Sequence, residues 1–312
     1  MNRRRSLSIL AGASMASLAG SGCGARREFE VTRWRGVLFS AEVDLAVHDL
    51  PAGEAEELIA RCVSEMQRLE ALFSLYLPDS SLCRLNREGR LMNPPAELVD
   101  LVRKSLDVAE RSAGAFDPTV QPYWKWLREA VETGGGIDSA EQARHLARVD
   151  YRRVRCSEAE VRFEQSGMAM TFNGIAQGWI TDRACEVLRE AGARHCLVNL
   201  GEFYALGGQP SGQDWLVGLR GLVGEEVSLR NRALAVSSGS GFYFGTGAGK
   251  NHIIDPRNGD CAEDRRVVAV TAREAWLADA LSTACAVLGE AEARALVAKW
   301  EDVELAIHRA PA

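Results

Sequence analysis

The chain has 312 residues, 46% of them hydrophobic and 26% charged, with a net charge of −6. That length supports a sizeable core, in one large domain or two intertwined lobes. The acidic balance argues against a nucleic-acid partner, which needs a basic patch, but leaves room for a small phosphate ligand held by backbone N–H groups.

In chain order, Arg3-Arg4-Arg5, a short apolar run from Leu7 to Gly12 and small residues up to Gly22-Cys23 describe an export signal. The apolar run is too short to span a bilayer. The arginines ahead of Leu7 point to the folded-protein export route. Gly20-Ser21-Gly22 before Cys23 is similar to a lipoprotein cleavage site, with Gly20 where leucine is usual. The expectation is a signal over 1–23, a tether over 24–30 and a folded domain over 31–312. The mature protein is then exported and lipid-anchored at Cys23, on the periplasmic side of the cell membrane.

Alternation over Arg35–His48 predicts a strand, and apolar spacing predicts helices over 54–73 and 95–112. A loop over 76–81 lies between those helices, and residues 113–118 end the second. The stretch 124–149 reads as charged and helical, interrupted by Gly134-Gly135-Gly136. Residues 161–163 and 168–172 read as paired strands, followed by a glycine-flanked turn at 174–178 and a helix to Ala191 that Gly192 ends. Strands follow near 196–200, 215–219, 226–229, 234–237 and 241–244. His252 to Gly259 reads as a strand running into a turn, and 267–270 as a strand. A helix carries 276–284, with another over 291–299 and a strand over 303–307. There is no internal repeat. The irregular alternation predicts an α+β fold of mixed or antiparallel sheets flanked by helices.

The eight cysteines form no CxxC pair, which argues against a zinc or redox motif. Cys185 and Cys285 lie in apolar helical runs and read as buried small hydrophobes. An exported chain with this set is expected to carry one or two disulfides, whose pairing the sequence leaves open.

Asp279 and Thr283 are four residues apart on a helix, which puts a carboxylate and a hydroxyl on one face, one turn apart. Two hard oxygens so placed can hold a divalent cation such as Mg²⁺; the alternatives are a surface carboxylate and a back-bonded threonine. His252 suits a general base, or a structural histidine satisfied by backbone. Asp255 reads as a turn former before Pro256. Asp117 can accept from ribose hydroxyls or form the turn before Pro118. Tyr76 can stack on a ring or sit in the core. Backbone amides near Gly174 and Gly178 can face phosphate.

Five segments stand together in order: Tyr76-Leu77-Pro78-Asp79-Ser80-Ser81-Leu82, Gly114-Ala115-Phe116-Asp117-Pro118-Thr119-Val120, Phe172-Asn173-Gly174-Ile175-Ala176-Gln177-Gly178-Trp179, His252-Ile253-Ile254-Asp255-Pro256, and Asp279-Ala280-Leu281-Ser282-Thr283. This set resembles the FAD:protein FMN transferases, also called the ApbE family, across nearly the whole mature chain. The resemblance implies Mg²⁺-dependent cleavage of the FAD pyrophosphate and transfer of FMN, through its phosphate, to a threonine or serine of an exported acceptor protein. It implies Mg²⁺ ligation by Asp279, Thr283 and the Gly174 carbonyl, with His252 as base. Ala115, Phe116 and Asp117 would contact adenosine and ribose, and Ile254 would lie against a flavin or adenine ring. Thr171 and Gln177 stand at cofactor-side positions where relatives carry an acidic residue and a lysine or glutamate. The pattern N-x-G-G-D is replaced by Asn199-Leu200-Gly201-Glu202-Phe203, S-G-D-Y by Ser238-Gly239-Ser240-Gly241, and M-G-T by Arg35-Gly36-Val37. Such departures are compatible with altered flavin binding, slow turnover or a specialised acceptor. The alternative readings are an FAD pyrophosphatase releasing FMN and AMP, and a non-catalytic exported flavin-binding protein.

Overall fold

A computed structural model describes residues 31–38, 41–219, 222, 224–245 and 249–310. The expected signal and tether, Cys23 included, lie outside the described residues. The elements run β1 (Thr32–Leu38), β2 (Ala41–Val47), α1 (Ala52–Phe73), α2 (Ser81–Glu88), β3 (Arg90–Met92), α3 (Ala96–Arg111), α4 (Gln121–Glu132), α5 (Ser139–Leu146), β4 (Val154–Cys156) and β5 (Glu160–Phe163). They continue with α6 (Ala176–Glu190), β6 (Cys196–Asn199), β7 (Phe203–Leu206), β8 (Trp215–Gly218), β9 (Glu226–Leu229), β10 (Arg232–Ser238), β11 (Arg266–Ala272), α7 (Ala275–Val287), α8 (Glu290–Val297) and β12 (Glu304–Arg309).

The expected α+β fold with antiparallel sheets is what the chain adopts. Seven strands form one sheet in the order β1-β2-β6-β7-β10-β11-β12, and every neighbouring pair is antiparallel. Side chains alternate between its faces. Cys196 and Val198 of β6, Ala233 and Ala235 of β10, and Val268 and Val270 of β11 join the main core with α1, α3, α6 and α7. Leu197, Leu234 and Ala269 face the other way, onto Trp215, Val217 and Leu229 of the β8–β9 hairpin. A smaller sheet, β3-β5-β4, lies apart, and Tyr123 and Leu127 of α4 make a third cluster with Phe244 and Ile254.

Several expectations fail for local reasons. The single strand over 35–48 is a hairpin of β1 and β2, paired from Thr32↔Val47 to Leu38↔Ala41. Residues 168–172 do not pair with 161–163; β5 pairs with β3 and β4 instead. The Asn86 side chain occupies the edge of that segment, donating to the Met170 carbonyl at 2.8 Å and accepting its N–H at 2.7 Å. One side-chain amide thus replaces a neighbouring strand. Residues 241–244 and 252–255 contribute isolated bridges, Tyr243↔Asn251 and Ile254↔Cys261, rather than strands. All seven described cysteines are free thiols, so no disulfide forms among the described residues; Cys185 and Cys285 are buried as expected.

Candidate active site

Helices α6 and α7 cross where Gly178 lacks a side chain. A Cβ on Gly178 would stand 2.3 Å from the Ala275 carbonyl oxygen and 2.8 Å from the Trp276 Cα. This approach lets each helix cap the other. Asp279 of α7 accepts the Gly178 N–H at 3.1 Å, while Asp182 of α6 accepts the N–H groups of Ala275 and Trp276 at 2.8 and 2.9 Å. The first N–H groups of a helix lack partners within it, and a carboxylate there also meets the positive end of the helix dipole. The Gly178 amide, expected to face phosphate, is therefore committed to Asp279.

Gly174 makes a second close approach, since a Cβ there would lie 2.8 Å from Thr283 Oγ1. Gly174 thus touches Thr283, which stands one turn after Asp279 on α7. The turn before α6 is held by the Thr171 N–H donating to the Pro118 carbonyl at 2.8 Å and by Thr171 Oγ1 accepting the Asn173 N–H at 3.2 Å. That first bond ties the turn to the segment carrying Asp117.

The crossing is rich in negative charge and poor in positive charge. Asp279 is 4% exposed and Glu202 8%, and neither forms an ion pair among the described residues. Burial pushes Asp279 up to about 7, against the pull of the Gly178 N–H. Burial, followed by the charge of Asp279, pushes Glu202 well above the usual carboxylate range. Buried carboxylates without a counter-charge are costly unless a proton or metal joins them. The donors here are carboxylate, hydroxyl and carbonyl oxygens, which suit a hard cation such as Mg²⁺. No cluster of three or more His, Cys, Asp or Glu side chains able to hold a metal occurs among the described residues, so a cation here depends on Thr283 and main-chain oxygen as well. Gln177 donates through Nε2 to the Leu200 carbonyl at 2.8 Å.

Towards this crossing, the C-terminal end of β10 carries the chain to the histidine. Ser237 and Ser282 hydroxyls bond at 2.8 Å, fixing β10 to α7 one residue before Thr283. The next turn packs Gly239 against Asn251, where a Cβ would lie 2.7 Å from Asn251 Nδ2. His252 follows. Its Nδ1 lies 3.1 Å from the Phe242 carbonyl oxygen. A carbonyl only accepts, so Nδ1 carries the proton and Nε2 keeps a lone pair. Burial holds the imidazole below its ordinary pKa of 6.5, opposed by that Phe242 bond. A neutral ring with a basic Nε2 is the state a general base needs at neutral pH.

A cleft of about 330 Å³ lies between the Tyr76 loop, α4 and Asn173 beside Gly174, and its lining includes Trp124, Lys125 and Arg128. Tyr76 is 51% exposed and belongs to this wall, not to the core. The Trp124 indole donates to the His252 carbonyl at 3.1 Å, so the cleft wall touches the histidine segment.

The other residues expected to contact the ligand sit in packed surroundings. Ala115 and Phe116 side chains are buried in the main core. Asp117 accepts from the Thr119 N–H and hydroxyl and from the Tyr151 N–H, at 2.8, 2.6 and 3.0 Å, which is the turn-forming role. Ile254 is 7% exposed and packs with Tyr123, Leu127 and Phe244 rather than lining the cleft. Asp255 accepts the Arg257 N–H at 3.0 Å and pairs with its guanidinium, shaping the turn as expected. Sequence reasoning did not single out Trp124 or Asp182. A tryptophan in a charged helix and an aspartate one turn after Gly178 were the available signals.

Residues 36–307 match the ApbE family, and the chain belongs to that family. It is 28% identical to the FAD:protein FMN transferase of Treponema pallidum, over 81% of this chain and 77% of that protein. Identity to the enzyme of the same name from Salmonella typhimurium is 25%, over 81% of this chain and 77% of that one. Among solved structures, the flavinyl transferase ApbE of Pseudomonas stutzeri in its apo form superposes with a TM-score of 0.76 at 23% identity, covering 91% of this chain and 94% of that one. The ApbE protein of Thermotoga maritima gives a TM-score of 0.77 at 23% identity, covering 90% and 97%. These two structures share the fold of this chain.

Proposed function

We propose that the protein is an FAD:protein FMN transferase that uses Mg²⁺ and delivers FMN to a threonine or serine hydroxyl of an exported acceptor protein. The observation that carries this reading is the buried Asp279, without a cationic partner, one helical turn from a Thr283 closed against Gly174, in a chain whose relatives bear that enzyme's name. Gly174, Asp279 and Thr283 would hold the ion. When bound, Mg²⁺ draws charge from the diphosphate oxygens. His252 Nε2 takes the proton of the acceptor hydroxyl as its oxygen bonds to the FMN phosphorus. The bond from that phosphorus to the bridging oxygen breaks, and AMP leaves with the electron pair. The 330 Å³ cleft beside Tyr76 and Trp124 offers aromatic walls for a ring of the dinucleotide.

The test is incubation of the protein with FAD and a threonine-bearing acceptor, with and without Mg²⁺. Flavin fluorescence that stays on the acceptor in a denaturing gel, only with Mg²⁺, is the expected result. Free FMN and AMP without acceptor labelling would mark a pyrophosphatase, and FAD left intact for hours a binding protein. Residues 1–23 serve as export signal and 24–30 as tether in the same proposal, with a lipid on Cys23 holding the enzyme at the periplasmic face of the membrane. Detergent phase partition tests this, with Cys23→Ser expected to move the mature protein into the aqueous phase.

A further inference from the structure

We propose that Glu202 is a further ligand of the divalent cation, a second carboxylate beside Asp279. This inference rests on the reading that Gly174, Asp279 and Thr283 hold such an ion. Glu202 stands in the turn between β6 and β7. Gly201 adopts φ +103°, its N–H bonds the Asn199 side chain at 2.9 Å, and the Leu200 N–H bonds the Glu202 carbonyl at 3.1 Å. The last pair between β7 and β10 is Phe203↔Leu234, so Val236 lies beyond the ladder. The Val236 backbone beside Glu202 opposes the rise of its carboxyl. One carboxylate oxygen, Oε2, is buried and has no partner. Gln177, whose amide bonds Leu200 in the Glu202 turn, directly precedes Gly178, whose N–H bonds Asp279, so both carboxylates lie at the same end of α6.

An 8% exposed carboxylate with one orphaned oxygen, at the end of α6 that also meets the buried Asp279, is an unfavourable arrangement by itself. The neighbouring side chains do not relieve it. Gln177 is neutral and already donates to Leu200 beside Glu202. The Ser237 hydroxyl, next to Val236, is bonded to Ser282. A divalent cation supplies what the side chains lack: opposite charge and open coordination positions for hard oxygens. A second carboxylate also raises the charge opposing the ion, which strengthens its retention before any dinucleotide arrives.

The test is Mn²⁺ titration of the FAD-free protein, followed by the electron paramagnetic resonance signal of free Mn²⁺, with Mg²⁺ as competitor. Wild type, Glu202→Gln and Asp279→Asn are compared. Glu202→Gln is expected to weaken Mn²⁺ binding by about tenfold or more. If Asp279→Asn loses Mn²⁺ and Glu202→Gln binds like wild type, Glu202 is no ligand and the inference falls while the cation site stands. If both variants bind like wild type, the cation site itself is wrong, and the inference falls with it. Should Glu202→Gln fail to fold, Glu202→Asp replaces it, keeping the charge but withdrawing it by one methylene. Weaker Mn²⁺ binding by that variant supports the inference, and unchanged binding overturns it.

Discussion

The α6–α7 crossing and the cleft along α4 contribute to one site by opposite means. At the crossing, backbone meets backbone. Gly178 touches Ala275, Gly174 touches Thr283, and Asp182 and Asp279 cap each other's helices. Along α4, half-exposed side chains face solvent: Tyr76, Lys125, Arg128 and Trp124 line an open space. Groups that must hold a cation gain from a place where nothing can move, because preorganised donors need not be reordered when the ligand arrives. Groups that grip a large ring gain from surfaces that can adjust. A change at the crossing should therefore strike folding and chemistry together, whereas a change along α4 should strike the ligand alone.

The largest expected effect is at Gly178. Gly178→Val would drive a branched side chain into the Ala275 carbonyl, which is main chain and cannot step aside. Overpacking of this kind costs about 3 kcal/mol. The helices must part, and the Asp279 bond to Gly178 goes with them. Urea unfolding should show that loss, with no FMN transfer remaining. Gly53, near the start of α1, has nothing within 4 Å of its would-be Cβ. Gly53→Ala should stabilise by about 0.5 kcal/mol and leave transfer intact, which separates crowding from any general cost of replacing glycine.

His252→Gln comes next, with kcat expected to fall about 10²- to 10⁴-fold. The ring is half-buried, but its only described polar bond is to the Phe242 carbonyl, so the fold and FAD affinity should change little. Burial holds His252 below 6.5, so the acid limb of the wild-type pH profile should lie below that value. An acid limb above 6.5 would mean that the imidazole is not the base.

The helices α1, α3, α6 and α7 were legible because their apolar residues recur at helical spacing, and β10 and β11 because they are short apolar runs bounded by polar residues. The closeness of Asp279 and Thr283 was legible because both lie on one helix, where spacing alone gives proximity. Much else depended on partners distant in sequence. Strand β7 was missed because its four buried residues follow β6 after a turn of only three residues, which hides where one apolar run ends and the next begins. Met168–Phe172 alternates like a strand, yet Asn86 takes its edge. Helix α2 is polar, but Ser80 accepting the Cys83 N–H is a capping signal that could have announced it. Glu202 belongs to the segment that departs from N-x-G-G-D, and only the fold brings that turn to the end of α6 that also meets Asp279. A motif does not say which of its side chains point inward, as those of Ile254 and Phe116 do.

A smaller effect should appear in the pH dependence of metal-free stability. Asp279 titrates near 7 in the folded chain against 3.8 ordinarily, so the folded state holds the extra proton between those values. Stability from this group is present at low pH and is lost as pH rises from about 4 to about 7. Asp182, also pushed up to about 7 by burial, acts in the same direction. Asp279→Asn should therefore gain on wild type across that window in chemical denaturation without metal. At pH 8, Mg²⁺ should raise the wild-type midpoint and leave the variant where it was. If Mg²⁺ stabilises both equally, the ion binds elsewhere.

The smallest effect bears most directly on the contrast, because Trp124 belongs to the cleft yet touches the histidine segment. Its indole N–H bonds the His252 carbonyl at 3.1 Å, its ring meets Phe244 edge-on at 5.0 Å, and the Arg128 guanidinium lies 5.7 Å from the ring. Trp124→Phe keeps an aromatic wall and removes one hydrogen bond, worth about 1 kcal/mol. If that bond steadies His252, kcat should fall about fivefold with KM for FAD nearly unchanged. The Phe242 bond that fixes the tautomer survives, so the acid limb should stay in place. If KM rises while kcat holds, Trp124 is only a wall, and the cleft is as separate from the chemistry as the contrast implies. A fall in kcat alone would show instead that the adjustable side of the site reaches into the proton transfer through one indole N–H.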